Sequence, residues 1–334
     1  MSLRNEPSER VLKIDLPDGH LYTGGGRQVW EHTGLPYTTL NYDPERHPGS
    51  PVVAKNGNGN GNCNGNGRCY VLQIMPEELN NIGFDPGKMD LLYLIKRRPH
   101  DIPASIKERG GGITGRDFYI DRLELSETLK NGSTFSRELE RHGIDYAMDL
   151  QYIPSSVAFL FLCDSRIKSY SYIRNTARQM GRTGEPMRIA TEFPWIAETT
   201  LTEMGLKKGR DFVIKPTSGA SEGYPRGRDS EGVLEIVQTG NSAVQNGLKI
   251  VEPFVIRIST PYMTFNKTSY EMAPNFCDDL MQRLYRGVEI EKARSPELFE
   301  QNIRPDALWN HNPFYPDPIY RPHVKQDAGS LARV

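Results

Sequence analysis

Glu231-Gly232-Val233-Leu234-Glu235-Ile236-Val237-Gln238-Thr239-Gly240-Asn241-Ser242-Ala243 places an apolar, β-branched run directly ahead of a small, hydroxyl-rich turn. Val233 to Val237 predicts a strand, and Thr239-Gly240-Asn241-Ser242 predicts the turn that ends it. A turn of this kind presents successive backbone N–H groups beside side-chain donors, a geometry that binds a phosphate dianion. Glu231 and Glu235, just ahead, can accept hydrogen bonds from sugar hydroxyls. As a bare pattern the stretch is weak, because ordinary strand-to-helix turns show it more often than phosphate sites do.

Working outward, the neighbours repeat the same alternation. Val157 to Leu162 is apolar without a break and predicts a central strand covered on both faces. Arg188 to Thr191, Asp211 to Ile214 and Leu248 to Val251 predict further strands, and Phe193 to Gly205 a helix with Pro194 in its first turn. Upstream, Val11 to Leu16 and Leu91 to Lys96 predict strands, and Ile102 to Glu108 a helix. Alternating elements of these lengths predict an α/β fold with a mostly parallel sheet in each domain. A helix around Asp278 to Tyr285 follows, and then prolines 305, 313, 316, 318 and 322 interleave with aromatics, which predicts an extended arm packed on the body or on another subunit.

Composition narrows the function. The 334 residues carry 41 Lys plus Arg against 42 Asp plus Glu, a net charge of −1, so no chain-wide field draws the protein to nucleic acid or a membrane. No apolar run approaches the ~20 residues needed to span a bilayer, and the charged start argues against a signal peptide, so a cytoplasmic location is expected. Four cysteines are too few and scattered for a disulfide framework, and the five-residue gap between Cys63 and Cys69 mismatches zinc-ligand spacing. Residues 54 to 68, rich in Asn and Gly, predict a flexible surface insertion. Arg174 and Arg178 share a helix face, read first as a solvated basic surface and second as a phosphate clamp. The histidines show no metal-ligand spacing, and His142 and His323 read as surface residues.

The Glu231 to Leu248 stretch resembles the phosphoribosyl-pyrophosphate (PRPP) loop of the ATP phosphoribosyltransferases, the first enzymes of histidine biosynthesis. The resemblance continues in order through Leu12 to Leu21, Asp101-Ile102-Pro103, Gly112-Ile113-Thr114-Gly115-Arg116-Asp117, Arg188-Ile189-Ala190-Thr191-Glu192-Phe193-Pro194 and Gly219-Ala220-Ser221-Glu222. It implies a two-domain fold like that of type II periplasmic binding proteins, with the chain crossing twice and the active site in the interdomain cleft. The implied division is a tail 1–10, domain I from 11–155 and 253–290, domain II from 156–252, and a C-terminal arm 291–334.

The implied reaction joins a purine nucleotide, ATP or a related adenine nucleotide, through a ring nitrogen to C1 of PRPP with loss of pyrophosphate. Thr239, Gly240, Asn241, Ser242 and Ala243 are then expected on the 5′-phosphate, and Glu231 and Glu235 on the ribose hydroxyls or on Mg2+. Asp18, His20, Arg98, Arg116, Asp117 and Glu222 are candidates for acceptor or pyrophosphate contacts. The departures are informative: Asp18, His20 and Glu192 stand where the family carries lysine or arginine, which predicts a less charged or differently placed acceptor than ATP. Residues 260 to 334 lack the strands for the regulatory domain of the family's long form. The resemblance also implies a homo-oligomer and admits a partner subunit. A specialised relative in the synthesis of purine-derived nucleoside antibiotics of the pentostatin or coformycin type fits the altered residues, and a non-catalytic solute-binding or regulatory subunit is the alternative class.

Overall fold

The computed structural model describes residues 10–17, 25–36, 54–55, 68–69, 71–108, 110–125 and 135–309. Asp18, His20, most of the Asn/Gly insertion and the chain beyond 309 lie outside these residues. In chain order the first seven strands are β1 (Val11–Pro17), β2 (Ala54–Lys55), β3 (Arg68–Cys69), β4 (Val71–Ile74), β5 (Leu91–Arg97), β6 (Gly111–Gly115) and β7 (Tyr146–Asp149). The second seven are β8 (Ser155–Leu162), β9 (Met187–Thr191), β10 (Phe212–Pro216), β11 (Gly232–Val237), β12 (Leu248–Ile250), β13 (Arg257–Ser259) and β14 (Pro261–Phe265).

Two larger sheets form, in the orders β4-β5-β1-β6-β14-β7 and β10-β9-β11-β8-β12, with β13 added beside β8. Both are mixed, which corrects the expectation of mostly parallel sheets. β1 runs parallel to β5 and β6, and β9 parallel to β10 and β11. The strands that enter from the other domain run against this direction: β14 is antiparallel to β6, and β8 is antiparallel to β11 and β12. A strand that arrives across the cleft starts at the opposite end of the sheet from one fed by a local helix, so its direction is reversed.

β8 is the central strand that its apolar run predicts. Val157, Phe159 and Phe161 join one core while Ala158 and Leu160 join another, so the alternate side chains bury on opposite faces. The first core is continuous between the sheets, since it also holds Ile102, Ile106 and Phe118 from the first domain. Phe118 and Phe193 meet across it with ring centroids 5.1 Å apart. Asp121, at the end of the helix Arg116–Arg122, accepts hydrogen bonds from the backbone N–H groups of Trp195 at 2.8 Å and Ile196 at 3.1 Å. These groups open the helix Pro194–Glu203 of the second domain and have no acceptor within it, so one carboxylate caps a helix across the cleft.

β13 pairs with β8, which places the return crossing at Thr260 rather than at residue 253. A third crossing follows the helix Pro274–Arg294, which is longer at both ends than the predicted helix. Ile153 N–H donates to Leu298 O at 2.6 Å and Leu150 N–H to Pro261 O at 2.9 Å, so the three crossings run side by side. Trp309 N–H then bonds Ile250 O at 3.0 Å, which fastens the described part of the expected arm to the edge of the second sheet.

Candidate functional site

A cavity of about 580 Å³ sits on these crossings, within the size range of small-molecule sites. Ile153, Ser155, Ser259, Thr260 and Pro261 contribute its hinge side, Asp117 and Phe118 the first domain, and Glu222 with the run from Glu235 to Ala243 the second. The wall from β11 therefore leads straight into the turn singled out by sequence.

The turn depends on its glycine. Gly240 has φ +82°, a left-handed conformation that carries a cost for any residue with a Cβ. It redirects the chain into the short helix Asn241–Gln245, whose first N–H groups have no acceptor within the helix and can serve an anion. Opposite the turn, Ala220 is also left-handed at φ +54°, a strained choice for alanine. It turns Ser221 and Glu222 toward β11: Ser221 Oγ donates to the Glu235 carboxyl, and Ser242 Oγ donates to Glu222 Oε1 at 2.6 Å. Sequence reading singled out Glu222 but missed Ser221, although it stands in the same quoted motif.

Glu235 is the most perturbed carboxyl in the cavity. Burial raises it to about 8, and the hydrogen bonds from Ser221 and from its neighbour's N–H at 2.9 Å only partly oppose that. The negative charges of Glu222 and Glu192 push it in the same direction as burial. Glu192 is itself raised, first by burial, against the lowering influence of His100, Arg122 and Arg98. Arg98 thus stands close enough to Glu192 and Asp101 to favour their charged forms. Asp117 is fully buried and raised to about 6, with Ser259 donating to one carboxyl oxygen. Arg116, beside it, does not line the cavity, and its guanidinium lies 4.9 Å from the ring centroid of Phe135.

Glu231 and Glu235 do not converge. Glu231 accepts from the Arg188 backbone N–H and from its guanidinium, both at 2.5 Å, and does not line the cavity. The two positions share one face of the extended chain but lie about 13 Å apart at ~3.3 Å per residue. The expected metal-holding pair of carboxylates is therefore not formed. Among the described residues no group of three or more His, Cys, Asp or Glu is arranged to hold a metal ion. Arg178 donates to Gly205 O at 3.1 Å and Arg174 is exposed, so the basic helix face lies away from the cavity. No described helix is long and apolar enough to cross a membrane.

Residues 98–286 match the family model described as HisG, ATP phosphoribosyltransferase, over more than half of the chain. The chain belongs to the ATP phosphoribosyltransferase family. Every cavity-lining residue named above falls inside this match. An ATP phosphoribosyltransferase of Caulobacter vibrioides (strain NA1000 / CB15N) is 33% identical over 119 residues, 36% of this chain and 35% of the relative. One from Methanococcus maripaludis (strain C7) is 25% identical over 213 residues, 63% of this chain and 62% of the relative. The chain thus spans between about a third and under two thirds of the length of these curated relatives. The ATP phosphoribosyl transferase (HisG:HisZ) complex from Thermotoga maritima superposes with TM-score 0.51 at 15% identity, covering 84% of this chain and 99% of that one, a likeness of fold.

Proposed function

We propose that the chain is a phosphoribosyltransferase that joins an adenine nucleotide, through a ring nitrogen, to C1 of PRPP with release of pyrophosphate. The observation that carries this reading is the continuous wall from Glu235 to Ala243, which sets a buried carboxyl beside a glycine-dependent anion turn on one side of the interdomain cavity. The backbone N–H groups of the turn, with Thr239 and Ser242, hold the 5′-phosphate. Glu235, largely protonated near neutral pH, and Glu222 take the ribose hydroxyls. Displacement at C1 passes through an oxocarbenium-like centre, so the protein acts mainly by aligning the two substrates, with the Glu222 carboxylate favouring that positive charge.

Magnesium does not fit a protein-held site here, because a protonated Glu235 is a poor ligand and Glu231 is occupied by Arg188. In this reading magnesium would arrive as part of the PRPP substrate and not as a protein-held ion. The cavity wall contains Asp117, Glu222 and Glu235 and no lysine or arginine among the described residues. This acidity favours an acceptor with fewer phosphates than ATP; the rival reading is a non-catalytic binding subunit. The similar structure from Thermotoga maritima is a HisG:HisZ complex, which supports a partner subunit for this chain as well. The family's place at the start of histidine biosynthesis is the pathway we assign, with antibiotic nucleoside synthesis as the rival.

The test is pyrophosphate release from PRPP and magnesium against ATP, dATP, ADP, AMP and adenosine, with product masses read in parallel. A phosphoribosyl mass gain on one acceptor supports the transferase and names its substrate. Tight PRPP binding with no release from any acceptor sinks the catalytic reading in favour of the binding subunit.

A further inference from the structure

The third crossing does more than join the domains. From Glu300 to Trp309 the chain lies against the outer side of the turn Thr239–Ala243 and touches it at several points. Arg304 N–H donates to Thr239 O at 2.8 Å, and Arg304 Nη1 donates to Asn241 Oδ1 at 3.1 Å. Asp306 holds the guanidinium in place, accepting from Nε at 2.8 Å and from Nη2 at 2.5 Å. Gln301 Nε2 reaches Ser156 Oγ, which ties the segment to β8. Gly240 packs directly on Ala307: a Cβ added to Gly240 would lie 2.5 Å from the Ala307 methyl. Ile303, Ala307 and Leu308 share a core with Val237 and Ala243, which flank the turn, and with Ile250 of β12.

We propose that residues 300–309 are a brace for the donor-phosphate turn and that Arg304 is a positioning residue, acting on PRPP through Asn241 and the Thr239 carbonyl. The proposal rests on the phosphoribosyl reading above. A turn whose N–H groups must converge on one anion gains affinity when its backbone is fixed before binding. The cavity wall itself offers no described cation, and Arg304 reaches the turn from outside the family-model match.

The test uses the full chain, with PRPP and magnesium as the probe. Calorimetry gives the PRPP dissociation constant, steady-state kinetics give KM and kcat, and a double-mutant cycle joins Arg304→Ala to Asn241→Ala. Arg304→Ala is expected to weaken PRPP binding and raise its KM by about five- to tenfold, the size of one lost hydrogen bond, with kcat and the acceptor KM within twofold. Arg304→Lys should recover part of that loss, and Arg304→Ala should add less than twofold in the Asn241→Ala background. PRPP affinity unchanged in Arg304→Ala, or fully additive effects in the cycle, overturns the brace. Wild-type protein that fails to bind PRPP overturns the phosphoribosyl reading itself, and the brace with it.

Discussion

The two ends of β11 carry the same residue type in opposite conditions. Just ahead of its start Glu231 is held by Arg188 in a partly exposed ion pair; near its end Glu235 is buried, raised to about 8 and hydrogen-bonded by Ser221. Sequence alone presents them as a matched pair of carboxylates. The structure separates them because a strand carries side chains four positions apart along its length instead of bringing them together. What each carboxylate can do is set by a partner distant in sequence: Arg188 neutralises one, and the left-handed turn at Ala220 delivers a hydroxyl to the other.

The largest expected effect breaks the buried end. Glu235→Gln keeps the shape but exchanges the acid O–H and one acceptor oxygen for an amide, and it should lower kcat/KM for PRPP roughly 100-fold, the scale of losing one preorganised polar contact in the cavity. Gly240→Ala attacks the turn beside it. The left-handed backbone costs on the order of 1–3 kcal/mol and the added methyl meets Ala307, so both the unfolding midpoint and PRPP affinity should fall. Asp121→Ala removes the acceptor for two N–H groups of the helix across the cleft and should cost about 1 kcal/mol in urea unfolding. Glu231→Gln is expected to cost well under that, because a partly exposed ion pair contributes at most about 1 kcal/mol.

A pH series sharpens the same contrast. The folded chain keeps a proton on Glu235 up to about pH 8, whereas an unfolded glutamate loses it near its ordinary value. Across that interval the folded state binds more protons, so the Glu235 contribution makes unfolding free energy fall as pH rises and level off above about 8. Urea unfolding of Glu235→Gln between pH 5 and 9 should show a shallower decline than wild type, and an identical slope would contradict the raised value.

Local sequence carried the parts of this molecule that local chemistry decides. The unbroken apolar run of β8, the β11 strand and the glycine of the Thr239–Ala243 turn stand where their residues predict them. Direction in the sheets was not legible, because whether β8 or β14 runs parallel depends on which domain the chain arrives from. The ion pair between Arg188 and Glu231 was hidden for a similar reason, since nothing near either residue names its partner. Short elements such as β13 and the Pro305–Ala307 turn lack the length for a periodic signal, and so the proline-rich arm gave no hint that its first part backs the cavity wall. Ser259, which bonds the buried Asp117, carries no sequence signal of its own.

The most direct measurement sets Glu231→Gln and Glu235→Gln side by side in pyrophosphate release from PRPP with the acceptor that the wild-type protein uses. Release within about threefold of wild type for Glu231→Gln, with a roughly 100-fold loss for Glu235→Gln, is the outcome expected of a cavity served by the buried carboxyl alone. Equal losses in both variants, or a larger loss in Glu231→Gln, would contradict the assignment of the chemistry to that end of β11.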